Sequence, residues 1–151
     1  MSQLQTIVDN VLKTHEQRYS EDCSQLVPMV MSIKGDQISG VYLIKELMDS
    51  EFRNLTKSIL AEIVLKTQCD AYIVCSEAWM ATYPDANIQR PPSERDDRVE
   101  VVITAGFSPK ETFCRIQEIV RDSSGNQASL KVCDFKGNAF QSRFNIYEGF
   151  N

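Results

Sequence analysis

The chain has 151 residues, a formal net charge of −5, 42% hydrophobic and 25% charged residues. That length suits one domain with its own core, read as residues 1–151, and the apolar content excludes a chain disordered throughout. No apolar run reaches the roughly 18 residues of a membrane helix. The acidic balance speaks against a nucleic-acid footprint, so neither membrane nor nucleic acid is expected as a partner.

The first twenty residues have no basic start and no continuous apolar stretch, and they include Asp9 and Glu16. They read as neither a secretory signal nor a transit peptide. The five cysteines (Cys23, Cys69, Cys75, Cys114 and Cys133) are odd in number and contain no C-x-x-C pair. They read as free thiols in a reducing cytoplasm. With a single histidine, His15, four converging zinc ligands are not expected.

Leu4, Ile7, Val8, Val11 and Leu12 recur at helical spacing and predict a helix over 3–19, capped by Ser2. His15 falls on the same apolar side and reads as a packing residue. The apolar run 26–33 predicts a strand, with Pro28 placing it at a sheet edge or marking its start. A turn at Lys34–Gln37 leads to a strand over 38–44, forming a hairpin with a bulge at Gly40. Phe52, Leu55, Ile59, Leu60, Ile63 and Val64 predict a helix over 50–67, capped by Asp49 or Ser50, with Glu62 and Lys66 as an i,i+4 pair. Ala71–Cys75 is almost wholly apolar and reads as a central strand buried on both faces.

Residues 81–97 form one long irregular stretch carrying Pro84, Pro91 and Pro92. Strands are predicted over 98–105, 112–121, 128–135 and 139–147, separated by turns at Gly106–Pro109, Ser123–Asn126 and Lys136–Asn138. Short turns make neighbours antiparallel. The expected fold is α+β: a mostly antiparallel sheet of about five to six strands, with two helices packed on one face. The long late strands would leave an exposed face or edge through which the chain forms a homodimer or another homo-oligomer.

Two regions could carry chemistry. Trp79, the sole tryptophan, stands at the end of the buried strand beside the irregular stretch. It reads either as a plug at the core edge or as the floor of a ligand pocket. The segment Arg90–Arg98 with Glu100 holds three arginines and four acids. It reads as a self-paired surface loop or as a rigid loop presenting arginines to a phosphate or carboxylate. Asp134-Phe135-Lys136 has the acid-x-Lys spacing of a metal-dependent nuclease, with Asp122 upstream. Only 15 residues follow Lys136, too few for the packing helix such a core carries. Phosphate loops, dinucleotide fingerprints and nucleophile elbows are absent from the sequence.

Ser76-Glu77-Ala78-Trp79-Met80, followed by Arg90-Pro91-Pro92-Ser93 and Asp97-Arg98-Val99-Glu100, resembles a family of small uncharacterised proteins from bacteria and their phages. The resemblance covers about a quarter of the chain, residues 70–105, and departs from the family's R-P-S by one extra proline. It implies no activity, only that Glu77, Trp79, Arg90, Ser93, Asp97, Arg98 and Glu100 lie together. Glu77 would then pair with Arg98 across adjacent strands.

The function expected is non-catalytic binding by a cytoplasmic homo-oligomer, with a protein partner as a further possibility and no cofactor, metal or catalytic residue. The alternative is a small-ligand or phosphate pocket of Glu77, Trp79, Arg90, Ser93 and Arg98, with weak hydrolysis at most. An acidic decoy for a nucleic-acid-handling protein is disfavoured because the net charge is mild.

Overall fold

The computed structural model describes residues 2–81, 98–133 and 138–148. Helix α1 spans Gln3–Glu21, and its periodic apolar residues form one buried stripe. Ser2 caps it as expected, its hydroxyl accepting the Gln5 N–H at 3.1 Å. His15 is buried in that stripe.

Strands β1 (Met29–Lys34) and β2 (Gln37–Leu43) form the predicted hairpin. The turn uses Gly35 at φ +65°, a left-handed conformation that glycine takes without a Cβ clash. Ser32 pairs with Gly40 while Ile33 pairs with Ile38, leaving Ser39 as the extra residue of a bulge beside Gly40. Pro28 precedes β1, which is an interior strand.

The helix predicted over 50–67 begins as something tighter. Two 3₁₀ turns, Lys45–Met48 and Ser50–Leu55, lead into α2 (Thr56–Thr67). Asp49 makes no side-chain cap, and Leu55, not Ser50, precedes α2. A distant residue takes over: Arg143 donates to the carbonyls of Leu47 and Asp49 at 2.9 Å and of Met48 at 3.4 Å. The Glu62–Lys66 pair forms at 2.8 Å.

Strands β3 (Ala71–Ala81), β4 (Arg98–Phe107), β5 (Thr112–Arg121) and β6 (Ala128–Cys133) complete a six-stranded sheet of order β2-β1-β3-β4-β5-β6. Every neighbouring pair is antiparallel, so the chain has an α+β fold. β3 lies inside the sheet, with Ala71–Ser76 buried on both faces.

The helices do not share a face. Ile73, Cys75 and Val102 pack with Leu4, Ile7, Val8 and Val11 of α1. Tyr72, Val74, Val101, Ile103 and Phe107 pack on the other side with Leu60 of α2. β3 and β4 are apolar at both parities, so each face must be covered. Gly106 belongs to β4, not to a turn. A Cβ there would lie 2.9 Å from Val8 Cγ2 and 3.0 Å from Leu4 Cδ1, so α1 rests directly on its backbone.

Residues 139–147 were expected as a strand, but Asn138–Phe144 is a helix, α3. Phe140 and Phe144, four apart, bring their rings to 4.5 Å and enter the second core. The buried Tyr72 hydroxyl donates to the Phe144 carbonyl and accepts the Ile146 N–H, fixing the helix end to the sheet. The short tail after Lys136 therefore does hold a packing helix. The predicted end of β6, with Asp134 and Lys136, lies outside the described residues. Asp122 accepts from Ser124 and Gly125 within its turn.

The five cysteines form no disulfide with one another. Among the described residues no helix is long and apolar enough to cross a membrane.

Candidate functional site

Side chains alternate along a strand, so Glu77 and Trp79 share the α1 face of β3 with Ile73 and Cys75. The β3–β4 register sets Trp79 directly opposite Glu100. Arg121, at the end of β5, reaches Glu100 through a two-point contact: Nη2 to Oε1 at 2.8 Å and Nε to Oε2 at 3.1 Å. This fork geometry fixes both side chains.

The segment after α1 closes over this end of the sheet. Arg121 Nη1 also donates to the Cys23 carbonyl at 3.2 Å and lies 3.1 Å from its sulfur. The Cys23 thiol donates to the Gly125 carbonyl at 2.9 Å. Leu26 N–H donates to the Glu77 carboxylate. Tyr19 is buried next to Glu77, and burial together with that negative charge raises its phenol well above the ordinary range. Arg18 lies over the Tyr19 ring at 5.0 Å and donates to the Ser24 carbonyl at 3.0 Å.

The result is a shallow cleft of about 480 Å³ lined by Gln25, Glu77, Ala78, Trp79, Glu100 and Arg121. Trp79 is 42% exposed. It does not plug the core; its ring forms part of an open surface. The cleft lining pairs two carboxylates with one guanidinium, and that guanidinium is committed to Glu100.

Of the residues expected together, Glu77, Trp79 and Glu100 do line one cleft. Arg90, Ser93 and Asp97 lie outside the described residues. Arg98 opens β4 opposite Ala81, while Glu77 faces Val102, four pairs further along. The strands are adjacent and antiparallel as expected, but Glu77 and Arg98 are not opposite each other. Glu77 instead anchors the backbone of Leu26.

Arg121, Gln25 and the Cys23 strap were missed. The alternation of β5 placed Arg121 at the same parity as Phe113 and Ile119, which was the one signal for a charge at the border of a core face. Nothing local in 22–28 reveals that it folds over β3. His15 is not in the cleft lining. Burial first, then the charge of Arg18, pushes its imidazole down to about 4, so it is neutral at neutral pH. Among the described residues no three His, Cys, Asp or Glu groups converge as they would around a metal ion.

No protein-family model matches the chain, and comparison with the curated proteins and with the solved structures gives no significant match.

Proposed function

We propose that this chain is a non-catalytic binding protein of the cytoplasm that holds a cationic group of a partner, a lysine or arginine side chain, against Trp79. The observation that carries this reading is the exposed tryptophan flanked by Glu77 and Glu100 in one cleft. An indole face attracts cations, and two carboxylates against one guanidinium give the described lining an acidic balance. A phosphate would find no uncommitted arginine among these described residues. Five cysteines with no disulfide between them support a reducing compartment.

Trp79 is the only tryptophan, so its fluorescence reports on the cleft alone. Titration with a lysine- and arginine-rich peptide is expected to give a saturable change in emission. An acidic peptide of equal length should give none, and Trp79→Phe should weaken binding of the basic peptide, read by calorimetry. A response to the acidic peptide alone, or to neither, overturns the reading.

A second observation favours self-association. β2 is an edge strand with no charged residue, and Ile38, Val41 and Leu43 are 44%, 54% and 64% exposed. They pair with Ile33, Met31 and Met29, so all three lie on the α1 face. Edges are commonly guarded by charge, and two copies of β2 could pair about a two-fold axis without like-charge contact. The other edge, the late strand β6, carries Lys131. Light scattering is expected to report a dimer that Val41→Lys dissociates. A monomer at high micromolar concentration sinks this part.

A further inference from the structure

On the opposite side of the sheet from Trp79, three cations converge in a chain whose net charge is negative. A pocket of about 370 Å³ is lined by Arg53, Asn54, Lys57, Ser142 and Arg143. Arg53 and Lys57 stand four residues apart across the junction of the second 3₁₀ turn and α2. Like charges at that spacing repel. Arg143 comes from α3, ninety residues later in the chain.

The side chains of Arg53 and Asn54 have no hydrogen-bond or ion-pair partner among the described residues. Arg143 uses Nη1 and Nη2 on the carbonyls of Leu47, Met48 and Asp49. Its Nε is buried without a partner. Burial and the neighbouring Arg53 charge both push the Arg143 guanidinium below its ordinary range. Two acids lie close by: the Asp49 charge acts on Arg143 in the opposite sense, and Glu148 stands beside Lys57. Glu148 lies 3.7 Å from Lys57 Nζ in a half-exposed pair and accepts the Ser142 hydroxyl at 3.2 Å. Such an exposed pair holds its lysine weakly.

The pocket therefore offers two guanidiniums, an ammonium, an amide and a hydroxyl, three positive charges against the nearby carboxylates of Glu148 and Asp49. Burying a guanidinium nitrogen without a partner is costly, and placing two guanidiniums together adds repulsion. An anion with several acceptor oxygens removes both costs. Guanidinium forks match the geometry of phosphate oxygens. The small recess favours a compact anion, and the acidic chain around it would repel an extended polyanion.

We propose that Arg53, Lys57 and Arg143, supported by Asn54 and Ser142, form a binding site for a small phosphate-class anion, either inorganic phosphate or the phosphate of a small phosphomonoester. The site is separate from the Trp79 cleft and stands whether or not that cleft binds a cation.

The test is calorimetric titration of the whole chain with inorganic phosphate, with ionic strength held constant by chloride. A parallel arm uses glycerol phosphate as a simple phosphomonoester. Saturable binding at one site is expected, with Trp79 emission unchanged. Arg53→Gln and Lys57→Gln, both exposed positions, should each weaken binding at least tenfold, and Arg53→Lys should recover part of the loss. Tighter binding of the phosphomonoester identifies the ester as the ligand; tighter binding of phosphate identifies the free ion. No heat above the chloride control, or full affinity in both glutamine variants with unchanged circular dichroism, overturns the proposal.

Discussion

The two faces of the sheet carry pockets of opposite sign, built in opposite ways. At the Trp79 end the charges are satisfied: Glu100 is gripped by Arg121, and Glu77 holds Leu26. Those charges hold a strap over the sheet, beside the exposed Trp79 ring. On the α2–α3 side the charges are less fully satisfied. The Arg53 side chain has no hydrogen-bond or ion-pair partner among the described residues, Arg143 keeps a buried Nε unpaired, and Lys57 has a distant partner. A charge paired within the fold positions other groups, whereas a charge left unpaired in a recess is available to bind.

The contrast can be broken most sharply at Phe144, which anchors α3 in its core. Phe144→Ala should cost about 3–5 kcal/mol, as for other buried aromatics, measured by urea unfolding. The phosphate response should vanish with α3, while the Trp79 response to a basic peptide survives. Loss of both together would mean that the two sides are one cooperative unit.

Acid should act on the other face. The folded pKa of His15 lies below its ordinary 6.5, at about 4, so the unfolded chain binds more protons between those values. Its contribution is fully present above pH 6.5 and is lost as pH falls toward 4. Between pH 7 and pH 5 the loss should be about 2 kcal/mol. His15→Leu should flatten this slope in denaturation curves taken at the two pH values. An unaltered slope would remove α1 packing as its source.

Trp79→Ala should cost only about 1–2 kcal/mol, because the ring is half-exposed, against the ~3–5 kcal/mol of a core tryptophan. A core-sized loss in urea unfolding would return Trp79 to the role of a plug. The smallest effect belongs to Glu100→Gln. Its partly exposed pair with Arg121 should contribute about 1 kcal/mol, and the loss should shrink when unfolding is repeated in high salt. A loss insensitive to salt would mean that the strap depends on packing and not on this ion pair.

Local pattern made much of the fold legible. Helix α1 with its Ser2 cap, the Gly35 hairpin with its bulge, the buried strand β3 and the antiparallel order of β4 to β6 all follow from periodicity and turn residues. Where pattern failed, a distant partner had intervened. Phe140 and Phe144 fit both a strand and a helix over so short a run; the Tyr72 hydroxyl at the helix end and the second core select the helix. Asp49 and Ser50 have the chemistry of caps, but Arg143 supplies the hydrogen bonds to that segment. Gly106 resembled a turn residue because its contact with α1 leaves no local trace.

Of the candidate site, the grouping of Glu77, Trp79 and Glu100 rested on the family resemblance alone, and the β3–β4 register accounts for it. Arg121 and the Cys23–Leu26 strap were not legible, because both depend on which strand follows β4 and where α1 ends over the sheet. Composition pointed to an acidic chain of ordinary apolar content, and a single histidine spoke against His-based chemistry. These are sums over residues, and sums are indifferent to arrangement. Whether acids and bases cancel or gather depends on distances between residues far apart in the chain. Only the tertiary structure brought Arg53, Lys57 and Arg143 together on one face of a net-negative molecule and set Trp79 between carboxylates on the other.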